Sequence, residues 1–180
     1  MQCVAFEIDG STYAIPTARI EEIVPMVRAA PLPDAPDWVR GVVDHRGRLI
    51  PLLDMRRLVG RGELPVTAGT RIVIADVRLD RPSAAAADAG NAEGDRRRIG
   101  FAVGAVHDVI DVDADAADGF DGLPGGSMPH LGRLVPVQAE GEGQGEGEAS
   151  RRTVRLVDLD RVLGPEHRRM LFGPLADESA

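Results

Sequence analysis

Apolar and polar positions alternate with a period of two along much of the chain. Val4, Phe6 and Ile8 alternate with Cys3, Ala5 and Glu7, which predicts a half-buried strand. Asp9-Gly10 supplies a turn that tolerates positive φ, and Tyr13-Ala14-Ile15 returns as a second strand ended by Pro16. Thr17 is placed to N-cap a short turn carrying Ile20 and Ile23. The three prolines of AAPLPDAPD (29–37) exclude sheet interior. Trp38-Val39 and Val42-Val43 then lead into the polar knot Asp44-His45-Arg46-Gly47, and residues 49–53 form the next strand. Asp54 is placed to cap a single helical turn, MRRLV, that stops at Gly60.

Further on, Arg71 to Val77 is a strand, and Ile99 to Val103 and Val106 to Val112 read as two more joined by a tight connection at Gly104. Leu131 to Val137 and Val154 to Val157 are the last strands. A short helix is expected after them, and Pro165 suits the first position of another that carries Met170, Leu171 and Phe172. Residues 80–95, 113–127 and 140–148 are small, polar or glycine-rich and read as exposed connections. Many short strands with little helix predict an all-β barrel or sandwich.

One similarity is internal. LIPLLDMRRLVG (49–60) overlays TVRLVDLDRVLG (153–164), so that Leu52, Asp54, Arg57 and Gly60 meet Leu156, Asp158, Arg161 and Gly164. Each unit reads as a strand entering an Asp-capped turn closed by glycine, which predicts two related lobes. A strand followed by a cap and a turn is also a common device that chance can repeat.

Charge narrows the function classes. The 180 residues carry 21 basic groups, all arginine, against 29 acidic ones, a formal net charge of -8. That balance disfavours a general nucleic-acid or anionic-membrane binder. It is unevenly spread: residues 140–148 hold four glutamates and 111–121 five aspartates, neither with arginine, while 40–57 hold five arginines and two aspartates. The apolar share of 43% argues against disorder of the whole chain. Cys3 is the only cysteine, so neither an intrachain disulfide nor a cysteine zinc cluster can form. MQCVAFEIDG has no signal-peptide pattern and no run suits a membrane helix, so the expected location is the cytoplasm.

Catalytic signals are sparse. Asp111, Asp113, Asp115 and Asp118 invite a calcium reading, but the sixth and twelfth positions of an EF-hand loop fall on Ala116 and Gly122. His107 and Asp108 are strand neighbours facing opposite ways. The four histidines share no ligand spacing, and there is no nucleophile elbow, phosphate loop or H-E-x-x-H. Arg96-Arg97-Arg98 is a short basic cluster suited to solvation, local pairing or an anion. No catalytic, cofactor or metal residue is assigned. The rival from another class is a small metal- or anion-binding β-barrel enzyme using the Asp-rich loop near His107. Residues 40–48, RGVVDHRGR, are the best site candidate, with Arg46 on a turn between Gly41 and Gly47.

Taken in order, FEIDGSTYAIP, RIEEIVP, GVVDHRGRLIPLLDMR, IGFAVGAVHDVIDV and RTVRLVDLDRVL resemble the CheW family of chemosensory adaptors over residues 2–172. The hallmark keeps Gly41, Arg46, Gly47, Pro51, Asp54 and Arg56, whereas Asp44 stands where the family has asparagine. The resemblance implies two interlocked five-stranded β-barrel lobes in one domain. The stretches 80–95 and 140–148 would be insertions and 173–180 a tail. It implies a non-enzymatic scaffold that links chemoreceptors to a CheA-type histidine kinase, without nucleic-acid binding or membrane insertion, recruited to receptor arrays at the inner membrane. A chemoreceptor tip would dock in a groove at positions matched by Ile20, Glu22, Arg40, Gly41, Arg46 and Val109. Gly47, Asp54 and Asp158 would shape loops and caps. The output would be flagellar chemotaxis or an alternative Wsp-type system.

Overall fold

A computed structural model describes residues 1–78, 96–113, 131–138 and 151–172. The expected insertions at 80–95 and 140–148, the tail at 173–180 and nearly all of the 113–127 connection lie outside these residues. Nine strands are described: β1 (Gln2–Ile8), β2 (Ser11–Pro16), β3 (Ile20–Pro25), β4 (Val39–His45), β5 (Arg48–Asp54), β6 (Thr70–Arg78), β7 (Arg96–Asp111), β8 (Leu131–Gln138) and β9 (Arg151–Val157). Two short helices, α1 (Met55–Leu58) and α2 (Pro165–Phe172), follow β5 and come after β9.

The strands form two lobes of five, and β7 belongs to both. Lobe one runs β3-β6-β7-β5-β4 and lobe two runs β7-β1-β2-β9-β8. Arg96 to Ala105 pair with β6, whereas Val106 to Asp111 pair with β1. The two strands expected around Gly104 are therefore one strand of 16 residues. Gly104 serves a close approach and makes no turn: a Cβ there would lie 2.8 Å from the Glu7 carbonyl oxygen. Lobe one closes on itself, because the chain after β3 returns so that Ala30 bridges Val42 of β4.

The lobes share one topology with the chain order permuted. In lobe one the β4–β5 hairpin lies parallel to β7, which pairs antiparallel with β6, and β6 with β3. In lobe two the β8–β9 pair lies parallel to β2, which pairs antiparallel with β1, and β1 with β7. Thus β5 and β9 occupy equivalent places, and they are the strands of the internal sequence similarity. The two turns then diverge. Asp54 caps α1 and Gly60 is left-handed at φ +71. Asp158 accepts from the N–H groups of Asp160 and Arg161 in a turn, where a short helix was expected. Gly164 is not left-handed; its carbonyl accepts the Arg168 N–H and opens α2.

Three apolar cores follow from this layering. Val43, Ile50, Leu52, Ile72 and Ile74 fill lobe one. Cys3, Ala14, Val112, Val135, Val137 and Val154 fill lobe two. The largest core lies between the lobes and includes Phe6, Ile15, Trp38, Leu53, Val73, Phe101, Val157 and Leu163. Successive residues of β6 thus face two different cores, which is why it reads as a continuous apolar run. Each fully buried aliphatic or aromatic side chain contributes roughly 1.5–3 kcal/mol. The segment after Pro16 departs from expectation. Thr17–Arg19 is a single 3₁₀ turn without a side-chain cap, and Ile20 and Ile23 lie on β3.

Candidate functional site

The β4–β5 hairpin closes with Arg46 and Gly47 as its two central residues, at φ +53 and +77. Positive φ at both positions is the type I′ arrangement, whose twist matches that of paired strands. Asp44 Oδ1 accepts the Gly47 N–H at 2.8 Å and holds the turn. An asparagine carbonyl could accept the same bond, so the departure at Asp44 preserves the turn and changes only its charge.

The turn presents Arg46, whose side chain is 71% exposed, and Arg46 Nη2 donates to Glu22 Oε2 of β3 at 2.8 Å. His45, buried at the end of β4, lies 3.6 Å from Glu22 Oε2 and 3.9 Å from Glu21 Oε1 through Nε2. Arg98 Nε of β7 meets Glu21 Oε2 at 2.6 Å. Arginine, glutamate, histidine, glutamate and arginine thus alternate across β3, the hairpin tip and β7. His45 lay within the 40–48 candidate and Arg98 within the basic cluster suited to local pairing, but neither was assigned to this site from the sequence. A signal for His45 was present: it continues the inward alternation of Val39, Gly41 and Val43.

Arg40 and Gly41 serve the fold at the other end of β4. Arg40 Nη1 donates to Asp54 Oδ2 at 2.8 Å and to the Leu64 carbonyl at 3.0 Å, with its side chain 16% exposed. Asp54 is fully buried and accepts two further bonds, from the N–H of Arg57 onto Oδ1 and of Leu64 onto Oδ2. Gly41 has φ +128, and a Cβ there would lie 2.1 Å from the Ala30 carbonyl oxygen. No other residue fits where the chain crosses β4 to close lobe one. Ile20 opens β3 opposite Ala75 and packs partly buried against the inter-lobe core. Val109 lies on the lobe-two half of β7 opposite Val4 and is 57% exposed. The structure therefore joins Glu22 to Arg46, and Arg40 to Asp54, as two separate pairs.

A third pair ties the lobes together beside Ile20. Arg19 donates from Nη1 and Nη2 to the two oxygens of Asp160, at 2.9 and 2.6 Å, and from Nη2 to the Asp76 carbonyl. Asp160 also accepts the Arg78 N–H. The bond to Asp160 raises the Arg19 pKa against partial burial. At Asp160, burial pushes the pKa up, but the bonds from Arg19 and the Arg78 N–H outweigh it and hold the carboxyl below its ordinary value.

Among the described residues, no group of three histidine, cysteine or acidic side chains could hold a metal. His107 lies 3.8 Å from Glu7. Asp115 and Asp118 fall outside the described residues.

The sequence profile of the CheW-like domain matches residues 2–167. The chain belongs to the CheW-like family. Its relatives include the FrzA protein of Myxococcus xanthus, 29% identical over 69 residues, covering 38% of this chain and 43% of that protein. The chemotaxis protein CheW of Bacillus subtilis is 28% identical over 71 residues, covering 39% and 46%. The CheW of Rhizobium meliloti is 25% identical over 111 residues, covering 62% and 61%. The aligned part thus spans about two-fifths to three-fifths of these relatives' length. The scaffolding protein TtCheW of Thermoanaerobacter tengcongensis superposes with a TM-score of 0.66 at 17% identity, over 92% of this chain and 89% of that one. The last comparison bears on the fold, and it agrees with the two-lobed β architecture. No helix among the described residues is long and apolar enough to cross a membrane.

Proposed function

We propose that this domain is a non-enzymatic scaffold coupling the cytoplasmic tip of a chemoreceptor to a CheA-type histidine kinase. Membership of the CheW-like family over residues 2–167 is the observation that carries the reading. The geometry is compatible with it. A rigid type I′ turn holds an exposed guanidinium against Glu22, next to partly buried Ile20, so charged and apolar groups meet at a preformed edge. Such an edge suits the side of a helical hairpin tip, with Arg46 free to exchange Glu22 for a receptor carboxylate. Arg40 and Gly41 contribute by shaping lobe one, and exposed Val109 would offer a separate apolar contact on lobe two. The domain would work in the cytoplasm, recruited to receptor arrays.

The test is binding of the purified protein to the CheA-type kinase and the receptor cytoplasmic fragment from the same cell, read by biolayer interferometry. Binding to both is expected, with Arg46→Ala weakening the receptor arm and sparing the kinase arm. Failure to bind either partner would overturn the reading.

A further inference from the structure

The Arg96-Arg97-Arg98 cluster opens β7 and does not stand alone. With Arg48 of β5 it lines a cleft of about 600 Å³ between the β4–β5 hairpin and α2, a volume typical of ligand sites. Four arginines and one acid, Asp76, line this cleft in a chain whose net charge is -8. Two of the arginines are engaged: Arg98 meets Glu21, and Arg97 sits over the Phe172 ring at 5.9 Å. Arg48 and Arg96 are exposed. The rest of the lining is largely apolar. Leu49 is 74% exposed and Leu32 41%, both large, and Leu171 and Phe172 complete it from α2. Lone exposed leucines are ordinary, but two of them in one arginine-rimmed cleft form a mixed surface.

We infer that this cleft is a second docking surface, and that its occupant is an acidic segment of a partner protein carrying an apolar anchor side chain. Charge complementarity selects the occupant. Carboxylates would meet Arg48 and Arg96 in charge-assisted bonds, while a leucine or phenylalanine covers Leu49 and Leu32. A bare inorganic anion would leave the apolar half exposed. This inference goes beyond the receptor and kinase reading and does not depend on it.

The probe is a fluorescein-labelled peptide, Glu-Asp-Leu-Phe-Glu-Asp-Leu, titrated with the intact protein and followed by anisotropy. Its control carries glycine in place of leucine and phenylalanine. Saturable binding is expected, weakened roughly tenfold or more by Arg48→Glu, by Arg96→Glu and by Leu49→Ser, since the charge reversals turn attraction of the acidic peptide into repulsion and Leu49→Ser removes the apolar contact. Arg61→Glu changes the same charge elsewhere and should leave binding intact. Four results would overturn the inference: no binding, equal binding of the glycine peptide, equal loss in Arg61→Glu, or equally effective competition by inorganic phosphate or a single-stranded oligonucleotide. Thermal melts of each variant separate loss of contact from loss of fold.

Discussion

Asp54→Ala removes one side chain and leaves three donors without their acceptor. The Arg57 N–H loses its cap, which costs about 1 kcal/mol at a helix N-terminus. The buried Leu64 N–H is left unpaired, a penalty of about 1–3 kcal/mol. The Arg40 guanidinium loses the carboxylate that neutralises it, and breaking a buried ion pair from one side costs about 3–5 kcal/mol. These contributions overlap, because Arg40 keeps the Leu64 carbonyl and reaches Glu63 at 3.6 Å. A net loss of about 4 kcal/mol is expected, a large part of the roughly 5–15 kcal/mol that holds a domain folded. At about 2–4 °C per kcal/mol for this chain length, Tm falls by roughly 8–16 °C.

Asp54→Asn is a sharper probe, because it preserves size. Oδ1 and Oδ2 both accept, so either orientation of the amide turns its NH2 toward a donor. Asparagine therefore does not rescue. Urea titration at neutral pH, read by the single tryptophan, measures both variants. Trp38 lies in the inter-lobe core with its ring 4.7 Å from that of His167, so its emission reports separation of the lobes. Arg40→Ala should lose stability to a similar degree, and the double variant should lose less than the sum of the two. A loss below about 1 kcal/mol for Asp54→Ala, or wild-type stability for Asp54→Asn, would refute the assignment of this pair to the fold.

Arg46→Ala should shift Tm by less than about 2 °C, because an exposed pair contributes little, and its effect should appear in receptor binding. Gly41→Ala should fail to give soluble folded protein, judged by circular dichroism, since its Cβ collides with the Ala30 carbonyl; a wild-type melt would contradict the close approach. Asp160→Asn should lower Tm at neutral pH. The Asp160 carboxyl has a lowered folded pKa, so its stabilisation is complete above the ordinary carboxylate pKa of about 3.9 and is lost as pH falls through the folded value below that. Melts from pH 7 downward should show the two proteins converging only in that acid range, and a gap unchanged at the lowest pH would exclude this origin. Cys3 is fully buried, and burial raises its pKa, so a thiol reagent at pH 8 should modify it only after urea is added.

Local pattern disclosed what local physics controls. β1 was legible from the alternation of Val4, Phe6 and Ile8, but not as half-buried: Cys3 and Ala5 on its other face are buried too, Cys3 in the lobe-two core. The Asp54 cap and the positive φ at Gly60 followed from chemistry within a few residues. Misreading Gly104 as a turn shows where that logic stops. A glycine between two apolar runs suits a tight connection equally well, and only the Glu7 carbonyl of a strand nearly a hundred residues away makes it a contact. The expected groove mixed two kinds of residue for the same reason. Arg40 and Arg46 look alike in sequence, six residues apart on one hairpin, yet one is 16% exposed and the other 71%. Alternation distinguishes them only once the bulge between Val39 and Gly41 is known.

The residues around the β4–β5 hairpin thus divide by direction. Gly41, Arg40 and Asp54 face into lobe one and fix its closure, the entry to α1 and the path to β6, so they serve the fold whatever the domain binds. Arg46 and Glu22 face outward on a turn whose geometry is set by Gly47 and Asp44. Resemblance in the inward set therefore identifies the fold, and only the outward set can encode a partner. The permuted lobes strengthen this separation. The N-terminal hairpin completes the lobe built from the C-terminal strands, and β7 runs through both, so the lobes cannot part without breaking strand pairing. If a partner docks at the Arg46–Glu22 edge as proposed, it would find that edge already assembled, and differences in affinity among relatives should map to exposed side chains such as Arg46 and Glu22.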